Sequence, residues 1–303
     1  MELTEIISAL EENTSRKFPR LVVEDAIAQQ EAITPLLLKA LEDAKTNIEE
    51  IDDKPSYFLH VYALYLLAQF REPKAYPLVV DFFSIPGEIT LDVTGDLVTE
   101  NLGRILASVY DGDLKPIKQL IENSAVNEYV RGAAVNSLLT LVAQEVISRE
   151  EVIQYFQELF STLEKDESYF WTDLVFSSAK LCPSEELMQL LDQAFEEDVV
   201  DTYFFGREDV DYYQQKGVEE ALTELRKDPH HALIGNAVAE MEWWACFQEQ
   251  PGKMPKIPAA KPRLTSTMKG LWDSPSGGAS KAQKKKKRQA QKQSRKKNRR
   301  KKK

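Results

Sequence analysis

Cysteine is nearly absent from this chain: Cys182 and Cys246 are the only two in 303 residues. Two thiols, one in a helix-end context and one in an apolar helix, build neither a disulfide framework nor a zinc knuckle, and they suit a reducing cytoplasm. Glycine is also thin. Gly95, Gly103 and Gly112 stand isolated, so no glycine-rich loop is available to cradle a phosphate. The longest apolar run, Val61 to Ala68, falls far short of the roughly 20 residues that span a bilayer. The start, Met1-Glu2-Leu3-Thr4-Glu5, is acidic and lacks the basic opening and apolar stretch of a signal peptide. No membrane insertion is expected, and a cytoplasmic location is. Strand-like alternation bounded by hairpin signals is scarce, which argues against a β architecture.

Chemistry-bearing constellations are equally scarce. His60 lies within an apolar helix, Tyr57 to Phe70, and reads as a hydrogen-bonded core histidine. His230 and His231, with Glu240 and Glu242, match no HExxH spacing and read as a helix-start pair rather than metal ligands. Carboxylates are so abundant that no acid–base pair stands out, and neither cysteine has a histidine nearby in sequence. The expectation is a non-enzymatic protein without catalytic residues, metal or cofactor. The enzymatic alternative requires groups converging from distant repeats into one groove.

What the chain does have is charge, divided sharply. Residues 251–303 hold 20 basic residues and one acid, Asp273, whereas residues 1–250 hold 19 basic and 48 acidic residues. A segment of +19 therefore follows a body of −29, and the overall pI of about 5.1 describes neither.

The body reads as all-α. Leu3 to Glu12 and Pro19 to Gln30 form short amphipathic helices, and Thr34 with Pro35 supplies an N-cap and a first-turn proline for a helix to about Ala44. Leu66-Leu67-Ala68 followed by Pro77 matches Ile105-Leu106-Ala107 followed by Pro116, at an offset of 39 residues. Further hairpins pair Tyr129 to Ala143 with Glu150 to Leu163, and Tyr169 to Leu181 with a helix capped by Ser184. Ser148 and Glu151 have capping-box spacing. Gly217 opens a last pair, with Val218, Ala221, Leu222 and Leu225 on one face, followed by a helix from His231 to Phe247 bearing Trp243 and Trp244. One of these tryptophans seals the core and its neighbour faces outward. Helical hairpins recurring every 35 to 40 residues are the signature of a HEAT-like α-solenoid. The predicted organisation is a helical domain over 1–250, a Pro/Gly/Ser-rich disordered linker over 251–280 and a polybasic disordered tail over 281–303.

Phe18-Pro19-Arg20, Ala26-Ile27-Ala28 and Ile33-Thr34-Pro35-Leu36-Leu37 resemble the opening of a bacterial family of unknown function found in cyanobacteria and chlamydiae. The resemblance covers residues 1–250 and implies a helical fold and a bacterial cytosolic origin. Some proteins with such a body carry a SEC-C zinc knuckle; here only Gly277-Gly278-Ala279-Ser280-Lys281 echoes it and the metal-binding cysteines are missing. With no activity assigned to the family, the resemblance implies no catalytic residues.

Two stretches are candidate binding sites. The tail carries Lys281, Lys284, Lys285, Lys286, Lys287, Arg288, Lys292, Arg295, Lys296, Lys297, Arg299, Arg300, Lys301, Lys302 and Lys303, a composition that binds RNA or another polyanion by charge alone. Without aromatics to stack on bases, it is expected to be weakly sequence-specific. The second stretch interleaves acids and aromatics: Glu196, Glu197, Asp198, Asp201, Tyr203, Asp209, Asp211 and Tyr212. Carboxylates beside aromatic faces suit a Lys- or Arg-rich protein partner, and Trp272 in the linker is a third contact point for a protein. The expected function is an adaptor whose body binds a protein while its tail holds RNA, ribosomal RNA foremost. In the alternative, the tail masks the acidic surface of its own body.

Overall fold

A computed structural model describes residues 1–165 and 168–248. Packing divides the chain into Met1–Gln250 and Pro251–Lys303, and the described residues all belong to the first unit. That unit is all-α: among the described residues there is no β-strand, only an isolated bridge between Glu12 and Tyr57.

The chain opens with α1 (Leu3–Glu11), α2 (Arg20–Ala28) and α3 (Gln30–Thr46). Here the expected cap at Thr34 is wrong. α3 begins at Gln30 and runs through Pro35, and the Thr34 hydroxyl donates back to the Gln30 carbonyl at 2.8 Å. Proline interrupts a single backbone bond at this position. The helix survives because Ile33, Leu37, Ala40, Leu41 and Ala44 bury a continuous stripe.

After the short α4 (Ile48–Asp52) come α5 (Leu59–Phe70) and α6 (Ala75–Phe83), the first of the anticipated hairpins. α5 is apolar all round and buried over ten consecutive residues, Leu59 to Ala68. It ends at Arg71, whose left-handed backbone reverses the chain. Within it, His60 is fully buried and donates from Nε2 to the Val93 carbonyl at 2.9 Å. Burial pushes its pKa down to about 4, so it is a neutral core histidine, as its apolar helix implied.

The first helix of the next hairpin is broken into α7 (Ile89–Thr94), α8 (Leu97–Glu100) and α9 (Leu102–Val109), and α10 (Lys115–Glu122) follows with Pro116 in its first turn. The third and fourth hairpins are α11 (Glu128–Ala143) with α12 (Arg149–Thr162), and α13 (Ser168–Lys180) with α14 (Glu185–Glu196). Their caps are those read from the sequence: the Ser148 hydroxyl accepts from the Glu151 amide at 3.1 Å, and Ser184 accepts from Leu187 at 3.3 Å. Then come α15 (Arg207–Lys216), α16 (Val218–Lys227) and α17 (Ala237–Met241).

Helices α5, α9, α11, α13 and α15 pack each against the next in an inner row, while α6 packs on α10 and α12 on α14 outside them. Stacked hairpins burying their faces against neighbours are what the repeat pattern predicted. Two glycines set the inner spacing. A Cβ on Gly103 would stand 2.8 Å from the Ala133 carbonyl oxygen, so α9 and α11 touch backbone to backbone. A Cβ on Gly132 would meet Asp173 Oδ2 at 2.7 Å, so α11 and α13 are as close.

The expected helix from His231 to Phe247 is a correction. Only Ala237–Met241 is α-helical; residues 232–236 are non-helical, and 3-10 turns occupy Pro229–His231 and Ala245–Phe247. The segment runs as a strap across the inner row, and inner-row side chains satisfy its backbone. The Gln144 amide donates to His231 O at 3.2 Å, Arg104 Nε to Ala232 O at 2.7 Å, and the Ile234 and Ala237 amides donate to Ser108 Oγ and Gln69 Oε1 at 2.9 and 2.7 Å. A helix would forgo these bonds. Ile234, Ala237, Val238, Met241 and Phe247 are buried under the strap, and Trp244 stacks edge-on against Tyr65 while Trp243 is 64% exposed. The division of labour between the two tryptophans is therefore as expected, although the helix that was to produce it is not there.

Candidate functional site

The tail residues Lys281 to Lys303 and Trp272 lie outside the described residues. The acidic-aromatic stretch lies within them, at the turn between α14 and α15. Its aromatics divide into two groups. Phe205 is buried against Phe176, with ring centroids 5.1 Å apart, and anchors the turn. Tyr203 and Phe204 are 89% and 72% exposed and meet edge to face at 5.3 Å. Tyr212, on α15, is also exposed, with Lys216 Nζ 3.8 Å from its ring centre.

The acids divide in the same way. Asp209 accepts from the Gly206 amide at 2.8 Å and caps α15; Asp201 accepts from the Tyr203 amide at 3.1 Å; Asp211 pairs with Arg207 at 2.6 Å; and Glu197 pairs with Lys165 at 2.5 Å. These four hold the turn in shape. Glu196 and Asp198 are exposed without such an engagement, and Asp198 adopts φ +55°, which turns the chain out of α14.

A second site escaped the sequence reading. Residues of α8, α9, α11 and α13, together with the start of the strap, enclose a cavity of about 320 Å³. Asn136 and Thr140 present one face of α11, and Asp173, Phe176 and Lys180 present one face of α13. Asp173 lies flat against Gly132 and accepts from Asn136 Nδ2 at 2.8 Å. Burial pushes its carboxyl up to about 7, with the Asn136 hydrogen bond and the Lys180 charge opposing that rise. Tyr129 and Tyr169 line the same cavity with ring centroids 4.1 Å apart.

At the far end, Lys180 donates to Asp228 Oδ2 at 3.1 Å and to His231 Nε2 at 3.0 Å. An ammonium has no lone pair to offer, so His231 Nε2 is the acceptor and its proton sits on Nδ1, directed at Thr140 Oγ1 at 3.4 Å. Burial, and then the Lys180 charge, lower the His231 pKa to about 4. Burial alone would raise Asp228, but the His230 backbone amide and ring and the Lys180 ammonium overcome it and hold the carboxylate below its usual range. His230 is exposed, its partner being Asp228 at 2.8 Å. The two adjacent histidines are thus a surface group and a buried latch. Among the described residues no group of three or more His, Cys, Asp or Glu is placed to hold a metal ion. On the rim, Arg104 grips Glu240 with two bonds, 2.9 and 2.7 Å, tying α17 to α9.

A larger cavity of about 650 Å³ abuts this one at Glu100 and is lined by Asp52, Asp92, Asp96, Tyr57 and Trp243. Cys246 lines it as well, and Cys182 is buried; both are free thiols.

Compared with known proteins, residues 1–248 match the family described as "Protein of unknown function (DUF1186)". The chain belongs to the DUF1186 family. It is 41% identical over 246 residues to an uncharacterised protein of Chlamydia trachomatis, a match that covers 80% of this chain and 96% of the relative. An uncharacterised protein of Chlamydia muridarum is 40% identical over 246 residues, covering 80% and 97%. The bacterial family of unknown function anticipated from the opening residues is therefore the one found, and DUF1186 membership extends over every residue of both sites described above. No solved structure matches. Nor is any helix among the described residues long and apolar enough to cross a membrane.

Proposed function

We propose that this DUF1186 protein is a non-enzymatic cytoplasmic adaptor: the helical body binds a basic protein segment at the α14–α15 turn, and the polybasic tail holds the assembly on RNA. The observation that carries the reading is the Tyr203–Phe204 pair. Two adjacent aromatics at 89% and 72% exposure bury nothing within the fold, while Phe205 beside them supplies the anchoring. Exposed aromatics of this kind are binding anchors. Glu196 and Asp198 lie close by in sequence, so a Lys- or Arg-rich segment meets both a ring face and a carboxylate.

The tail adds affinity without choosing a sequence. The family model matches residues 1–248 and does not extend into the tail. The family's shared role therefore rests on the body in this reading, and RNA attachment is an addition carried by residues 281–303.

The experiment is affinity capture from the native cells after nuclease treatment, comparing the full chain with Tyr203→Ser/Phe204→Ser. Loss of a basic protein from the double variant is the expected result; an unchanged set of recovered proteins would remove the turn as the interface.

A further inference from the structure

We propose that the inner cavity bounded by α8, α9, α11, α13 and the strap is a binding site for a small organic cation, whose ammonium or guanidinium group is held by Asp173 and walled by Tyr129 and Tyr169. The argument is one of charge left over. Five charged side chains line the cavity apart from the exposed His230: Glu100, Arg104, Asp173, Lys180 and Asp228. Arg104 is neutralised by Glu240, and Lys180 by Asp228. The Asp173 carboxylate keeps a single hydrogen bond, from Asn136 to Oδ2, and the Glu100 carboxylate on the exposed rim has neither a hydrogen bond nor an ion pair. Two negative groups are therefore unanswered in a cavity whose cations are already committed.

The surroundings favour an organic cation over a metal ion. Oxygen ligands too few and too far apart in the fold to form a metal cluster are accompanied by two tyrosine rings, whose faces attract ammonium and guanidinium groups. About 320 Å³ lies at the small end of ligand cavities and accommodates a polyamine or one basic side chain. Gly132 is the local device that makes the site possible. Any side chain there would push Asp173 Oδ2 off the α11 backbone and out of its hydrogen bond with Asn136.

The shared chemistry could be delivered by a free polyamine or by an arginine side chain of a peptide, and two probes separate them. Full-length protein is titrated calorimetrically at physiological salt and pH 8 with spermidine and with N-acetylarginine amide, using inorganic phosphate as an anionic control. At least one cation binds, phosphate does not, and Asp173→Asn weakens that cation tenfold or more while Tyr203→Ser/Phe204→Ser leaves it unchanged. Tighter binding of spermidine assigns the site to polyamines; tighter binding of the blocked arginine assigns it to basic side chains. Should Asp173→Asn fail to fold, Glu100→Gln at the exposed rim serves, with a loss of about threefold or more expected from removing one charge at partial screening. Absence of binding by both cations, or wild-type affinity in these variants, overturns the assignment. Because the α14–α15 turn is altered in a separate variant, either reading can fail without the other.

Discussion

Replacing Asp173 by asparagine is expected to stabilise the protein at pH 8 and to do so by only about a third as much at pH 5, because the cost of ionisation accrues between the unfolded and folded values. The carboxyl is raised from an ordinary 3.8 to about 7, principally by burial. A group whose pKa is raised on folding favours the folded state below its unfolded value and disfavours it once pH passes the folded value. Above pH 7 the ionised form therefore destabilises the fold. Three pKa units correspond to about 4 kcal/mol, and water admitted by the cavity screens about half of that, leaving about 2 kcal/mol. Asparagine has the same shape and still accepts the bond from Asn136, so the substitution removes charge and little else. For a body of this size, about 2 kcal/mol is about 4 to 8 °C in Tm. The other charged and titratable groups facing the site are Glu100 on α8, Arg104 on α9, Tyr129 on α11, Tyr169 and Lys180 on α13, and Asp228, His230 and His231 where α16 leads into the strap. Scanning calorimetry of wild type and variant at both pH values is the assay. A Tm gain that is absent at pH 8, or equal at pH 5 and pH 8, would refute the reasoning.

Other perturbations have defined outcomes. Arg104→Ala removes two bonds to Glu240, one to Ala232 O and one to Asn101 Oδ1, leaving these acceptors partly buried, and is expected to cost about 2 to 4 kcal/mol. Amide exchange in residues 232–242 should accelerate well before that of α11; uniform acceleration would show that the strap is not a separate unit. Gly103→Ala drives a methyl to 2.8 Å from the Ala133 carbonyl oxygen and should cost about 1 to 3 kcal/mol, read as a lowered urea midpoint, whereas Gly235→Ala, exposed and with no atom within reach of the added methyl, meets no neighbour. His60 and His231 both fall from 6.5 to about 4 on folding, so each contributes stability that is complete above pH 6.5 and is lost as pH falls through 4. Measured in the Asp173→Asn background, which removes the opposing titration, that loss approaches about 3 kcal/mol for each histidine.

Helix boundaries were legible wherever a local signal sufficed. Ser148 and Ser184 announce α12 and α14 because an N-cap acts within three residues. The strap departs from the sequence expectation for the opposite reason: residues 231–247 carry apolar spacing compatible with a helix, but their backbone partners, Gln69 on α5, Arg104 and Ser108 on α9, and Gln144 just past α11, are distant in the chain. Gly235-Asn236 is the local hint, since Asn236 caps α17 rather than continuing a helix through it. The cavity was invisible in the same way, as Thr140 and His231 are 91 residues apart. One trace of it existed. Asn136 and Thr140 on α11, and Asp173 and Lys180 on α13, are polar positions on one face of helices that are otherwise deep in the core, and polar groups there need partners. The acidic-aromatic stretch stood out in the sequence by its alternation of acids and rings, but which rings face outward was not legible there: Phe205 is buried against Phe176 while Tyr203 and Phe204 are exposed, a division set by tertiary packing.

The most direct test of the two-part account uses three baits from the native cells, each with and without nuclease: the full chain, Tyr203→Ser/Phe204→Ser, and a chain ended after Ser280. The account predicts that the aromatic variant loses its protein partner and keeps RNA, while the shortened chain loses RNA and keeps the partner after nuclease treatment. Recovery of the same proteins and the same RNA by all three baits would contradict it.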